Sequence, residues 1–155
     1  GICLCRVRAQ PTFRTRQALC FSVMTALLDT DTVIALLRGH AAVAQKVRAF
    51  PAKSLVVSSV TLYELLVGVE KSRDSEKNRR LLDDALAPFV ILAFDETPAL
   101  EAAKVRGSLE KKGIGIGPYD TLIAGHALAL GVKLITANTK EFRRVHGLKL
   151  ENWLA

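Results

Sequence analysis

The sequence predicts an α/β fold with a mostly parallel central sheet and helices on both faces. Three observations carry that expectation. Four short apolar runs, 27–29, 55–57, 89–92 and 133–136, recur along the chain. Each is followed by a longer stretch with helical spacing of apolar residues. The runs lack polar alternation, as befits strands covered on both faces. A chain of 155 residues with 50% hydrophobic and 24% charged residues has enough apolar material for one core, so general disorder is excluded.

In order along the chain, residues 27–29 read as a buried strand ending in Asp29, and Asp31 is placed to cap a helix over 33–37 that stops at Gly39. A second helix over 41–50 ends before Pro51. Strand 55–57 leads to a helix over 60–69, with Leu62, Leu65, Leu66 and Val69 on one face. Residues 75–86 form a charged amphipathic helix with Leu81, Leu82 and Leu86 inward, broken by Pro88. Strand 89–92 follows, then a helix over 97–112 that tolerates Pro98 in its first turn. A glycine-spaced loop, 113–117, leads to a helix opened by Pro118 and closed by Gly131. Strand 133–136, a short helix over 140–145 and a last strand over 148–150 complete the order. Phe142, Leu148 and Trp153 read as core.

Residues 1–23 differ from the rest. They hold Cys3, Cys5 and Cys20, all the cysteines of the chain, with four arginines and no acid. They read as upstream translation or a non-native extension ahead of a single domain over 24–155; a targeting segment and a genuine arm are the alternatives. From Met24 onward there is no cysteine, which fits a reducing, cytoplasmic compartment. The net charge of +7 owes four of its units to that extension, so the domain is only mildly basic. Such a balance permits a nucleic-acid partner without announcing one.

The acids carry the chemistry. Asp29 and Asp31 follow the first strand, Glu64 lies in the helix after the second, Asp120 opens the helix after the glycine loop, and Glu141 follows the fourth strand. In parallel sheets ligands bind beyond the carboxyl ends of the strands, so these side chains converge if the topology is regular. Clustered carboxylates repel one another unless a cation joins them. A hard cation such as Mg²⁺ takes oxygen ligands, and no His or Cys spacing suggests zinc. Cations so held activate water and stabilise a leaving oxygen, which points to hydrolysis of nucleic acid.

Each acid also has a plainer reading. Asp31 can be a helix cap rather than a ligand. Thr61 to Glu64 fits a capping box, in which Glu64 would bond the cap's own N–H. Asp120 would interact favourably with a helix dipole. Glu141 can be a solvated acid beside Lys140 and Arg143. Asn138 and Thr136 are placed to orient water or carboxylates. His126 reads as a hydrogen-bonded core or site-edge residue, Asp83 and Asp84 as surface, and Lys111, Lys112, Arg143 and Arg144 as surface charge that could steer phosphate.

Four segments extend this reading. Residues 24–37, MTALLDTDTVIALL, resemble the opening of PIN-domain proteins, and 58–68, SSVTLYELLVG, resemble the second motif of that family. Residues 117–127, GPYDTLIAGHA, resemble the third. Residues 134–148, LITANTKEFRRVHGL, with Glu151, Asn152 and Trp153 behind them, resemble the fourth. The match runs in order over 24–153 and is nearest in character to the toxins of VapBC toxin–antitoxin pairs. The resemblance implies a three-layer PIN fold and Mg²⁺- or Mn²⁺-dependent cleavage of single-stranded RNA. It also implies a homodimer and inhibition by a VapB-like antitoxin. It marks Asp29, Glu64 and Asp120 as metal ligands, Glu141 as a fourth catalytic acid and Thr30 as support. At the fourth position the family often has Asp or Asn where Asn138 stands. Two other functions fit less of the chain: a non-enzymatic binding module on the same scaffold, and a phosphotransferase of the haloacid dehalogenase type. The latter would use Asp29 as nucleophile, with Ser58 or Ser59 in support.

Overall fold

The structure, a computed structural model, describes residues 24–155; the expectations for residues 1–23 and their cysteines lie outside the described residues. Five parallel strands form one sheet: β1 (Ala26–Leu28), β2 (Leu55–Ser58), β3 (Val90–Leu92), β4 (Lys133–Ile135) and β5 (Leu150–Glu151). The helices are α1 (Thr30–Leu37), α2 (Ala41–Ala49), α3 (Ser59–Glu70), α4 (Ser75–Leu86), α5 (Glu96–Lys111), α6 (Pro118–Leu130) and α7 (Thr139–Phe142). Among the described residues no helix is long and apolar enough to cross a membrane.

Side-chain alternation along the strands divides the core into two layers. Ala26, Leu28, Leu55, Val57 and Ile135 face one cluster with Val33, Val43, Leu65, Leu82 and Trp153. Leu27, Val56 and Leu134 face the other, with Val105, Ile123, Ala124 and Phe142. The sheet is thus covered on both sides, which explains why its strands read as unbroken apolar runs.

The strand order is β3-β2-β1-β4-β5. The chain winds outward from β1 in one direction through β2 and β3, then returns to the other side of β1 for β4 and β5. The winding reverses between β1 and β4, where a crevice opens beyond their carboxyl ends. Leu28 pairs with Ile135 at this point, and the Asp29 N–H donates to the Ile135 carbonyl at 2.9 Å. The first acid of the sequence therefore stands at the switch point.

Helices α5 and α6 approach very closely. A Cβ on Gly125 would lie 2.4 Å from backbone atoms of Ala102, so only glycine fits there. Gly131 ends α6 in the left-handed conformation, φ 67°, which glycine adopts without strain.

Some local expectations change. Helix α1 starts at Thr30, capped by Asp29, because β1 ends at Leu28 and the chain turns at once. Leu81 is half exposed while Leu82 and Leu86 are buried; on a 3.6-residue helix the apolar stripe of α4 is too narrow for all three. Leu148 is only partly buried against the second cluster, and the last strand lies at Leu150–Glu151.

Candidate metal centre

Asp29 is 5% exposed. Its Oδ1 accepts the Thr30 N–H at 2.8 Å, the helix-cap contact, and its Oδ2 accepts the Thr136 hydroxyl at 2.7 Å. Burial pushes its pKa up to about 7, reinforced by the charge of Asp31, against the lowering effect of those hydrogen bonds. A cation beside such a carboxylate would favour its charged form.

Asp31 is not the cap. It lies in the first turn of α1 and reaches across the crevice. Its Oδ2 accepts the backbone N–H groups of Ala137 and Asn138 at 2.8 and 3.2 Å. It thereby ties α1 to the loop after β4, which carries Thr136 and Asn138.

The capping box at Thr61–Glu64 does not form. The cap of α3 is Ser58, whose hydroxyl accepts the Val60 N–H at 3.1 Å, so Thr61 is already inside the helix. Glu64 is released from backbone duty and points to β1's end, where its Oε2 accepts the Thr30 hydroxyl at 2.6 Å. Thr30 has the supporting place the sequence motif implies.

Asp120 stands in the first turn of α6, half buried, and accepts from the Asn138 amide at 3.3 Å. Its pKa is raised to about 6, by burial first and then by Glu141, Glu64 and Asp31. A side chain at Gly117 would put a Cβ 3.3 Å from an Asp120 carboxylate oxygen, a tight approach. Glu141, on α7, is near enough to act on Asp120 electrostatically. Glu141, Glu64 and Asp31 therefore all bear on Asp120, which in turn acts on Asp29.

The donor set tests well against a hard divalent cation. It is all oxygen, and the charged groups acting on Asp29 and Asp120 are all carboxylates. Among the described residues no three Asp, Glu, His or Cys side chains are close enough to share one ion. Four of the carboxylates, Asp29, Asp31, Glu64 and Asp120, accept hydrogen bonds from Thr30, Thr136 or Asn138.

The remaining candidates are structural or peripheral. His126 is buried, and its Nδ1 lies 2.9 Å from the Ser58 hydroxyl. Ser58 also accepts from the Val60 N–H, so its hydroxyl links the start of α3 to the imidazole. Burial holds the His126 pKa down at about 4. The sequence motif gave no sign of this bond, which joins α6 to the start of α3. Lys111, Lys112, Arg143 and Arg144 are exposed; Arg144 donates to the Gly115 carbonyl at 2.7 Å and so braces the glycine loop. Asp83 is on the surface, paired with Arg79.

Comparison with known proteins bears on the fold and the family. The PIN domain family model matches residues 26–148. The "tRNA(fMet)-specific endonuclease VapC" of Salmonella typhimurium is 33% identical over 127 residues, 82% of this chain and 96% of its own. "Ribonuclease VapC2" of Rickettsia felis is 37% identical over 132 residues, 84% of this chain and 98% of its own. The crystal structure of VapBC2 from Rickettsia felis, bound to a promoter DNA fragment, superposes with a TM-score of 0.79 at 36% identity, covering 84% of this chain and 99% of that one. DNA-bound VapBC from Salmonella typhimurium gives 0.80 at 32% identity, covering 84% and 98%.

Proposed function

The chain belongs to the PIN domain family, and from that premise we propose that it is a divalent-metal-dependent endoribonuclease of the VapC type, a toxin held in check by a VapB-like antitoxin. The observation that carries this reading is the gathering of carboxylates around Asp120 at the switch point of the sheet. Its relatives are named as ribonucleases, and structures similar to it are toxin–antitoxin pairs.

Asp29, Glu64 and Asp120 are the metal ligands in this reading, with Glu141 assisting at the rim. Mg²⁺ or Mn²⁺ suits the all-oxygen donors; when bound, such an ion neutralises phosphodiester charge and makes a water acidic. The protein's part is to hold the ligands. Thr136 fixes Asp29, Thr30 fixes Glu64, and Asn138 fixes Asp120. Asp31 keeps the Thr136–Asn138 loop against α1. The substrate is single-stranded RNA, the active form a homodimer, and the compartment the cytoplasm, as cysteine-free residues 24–155 suit.

The test is cleavage of a mixed RNA pool by purified protein, with Mg²⁺ or Mn²⁺ against EDTA and Asp29→Asn alongside. Cutting that needs both the metal and Asp29 supports the proposal. A folded protein, free of antitoxin and saturated with metal, that binds RNA but never cuts it would make this a binding module.

A further inference from the structure

Among the described residues only two Phe, Tyr or Trp side chains are exposed, Tyr63 at 50% and Tyr119 at 41%. They come from different helices, α3 and α6, yet lie together with ring centroids 5.7 Å apart and planes tilted by 54°. Each immediately precedes an acid of the cluster, Glu64 and Asp120. The ring pair thus bridges α3 and α6 next to Glu64 and Asp120, the acids those two helices bring to the cluster.

We propose that Tyr63 and Tyr119 form a stacking platform for a nucleobase of single-stranded RNA beside the bond to be cut. This rests on the endoribonuclease reading and adds to it how the strand is gripped. The need is electrostatic. Carboxylates that no cation screens repel RNA phosphates, so affinity next to the scissile bond gains from contacts to an uncharged part of the nucleotide. A base on an aromatic face supplies it, and every base has such a face. The other exposed apolar residues, among them Leu81 and Leu100, are aliphatic and offer no planar partner. Tyrosine suits a surface platform because its hydroxyl stays in water while the ring is covered.

The test begins by mapping a cut made by the wild-type protein in the RNA pool, then uses a short oligonucleotide spanning that cut. Binding is read by fluorescence anisotropy in an Asp29→Asn background, so that nothing is cleaved. Tyr63→Ala and Tyr119→Ala should each weaken binding by roughly 5- to 150-fold, the range for one stacked base. Tyr63→Phe and Tyr119→Phe should retain affinity. An abasic nucleotide at one position flanking the cut should cost as much as the alanine change, with no further loss when both are present. Alanine variants that fold, cleave and bind as wild type does would overturn the platform while the nuclease reading stands. Unchanged RNA affinity with a lost dimer, seen by sedimentation, would assign the rings to a protein interface instead. A wild-type protein that cuts no RNA would sink the nuclease reading itself.

Discussion

Leu28 and Asp29 are neighbours in the chain, and both are buried, with exposures of 1% and 5%. Leu28 sits between β2 and β4 and packs into an apolar layer that includes Val33, Val57 and Ile135. Asp29, one residue on, has passed the end of the strand and shares the crevice with Asp31 and Asp120. The first burial stabilises the fold by removing apolar surface from water. The second opposes it, since a carboxyl group loses hydration and gains like-charged neighbours. The same backbone thus delivers a stabilising interior and a destabilised edge, and the edge persists because the interior holds it in place. Sites whose own groups repel one another are where chemistry is expected.

The largest test of this contrast replaces the acid without disturbing the strand. Asp29→Asn keeps a carbonyl oxygen for the Thr30 cap, so the fold should survive. RNA cleavage should fall by at least about 100-fold, as expected when a metal ligand loses its charge. In EDTA the same substitution should remove a pH dependence of stability. The folded-state pKa of Asp29, about 7, lies above its ordinary value of 3.8, so the folded protein binds the extra proton. Wild-type stability should therefore fall as pH rises from about 4 to about 7, by up to a few kcal/mol, and level off above that. Thermal melts across that range check the slope, and added Mg²⁺ should flatten it. A slope that persists in Asp29→Asn would place its origin elsewhere.

The interior is tested by Gly125→Ala. Its methyl group would meet the Ala102 backbone, and overpacking of this kind costs about 1–3 kcal/mol, read as a lower midpoint in urea. Activity below the new melting temperature should change little, because the contact lies within the α5–α6 layer.

Thr136→Val probes the seam between the two regions. Valine keeps the volume and removes the donor to Asp29 Oδ2, so metal affinity by calorimetry should drop by about 10- to 100-fold. The smallest effect belongs to the surface. Arg79→Ala breaks the exposed pair with Asp83 on α4 and should cost about 0.3–0.5 kcal/mol with cleavage unchanged.

The parallel α/β architecture and the order of its elements were legible in the sequence. Apolar runs and helical spacing are local patterns, and a local pattern records what a segment must bury. The acids Asp29, Glu64 and Asp120 were legible as family motifs, and Gly131 as the end of α6. Which donor each acid would take was not. Asp29 and Asp31 look alike in the sequence, and only the place where β1 stops makes the first the cap and the second a clamp on Ala137 and Asn138. Thr61 and Glu64 satisfy the capping pattern, but Ser58 starts α3 three residues earlier and frees Glu64 for Thr30, 34 positions away. The bond between His126 and Ser58 spans 68 positions, and that between Thr136 and Asp29 spans 107. Neither the meeting of Tyr63 with Tyr119 nor the fit of Gly125 against Ala102 has a signature in its own segment. Hydrophobic periodicity determines which face of an element turns inward. Only the assembled sheet, with its winding reversed between β1 and β4, decides which polar side chains meet at its edge.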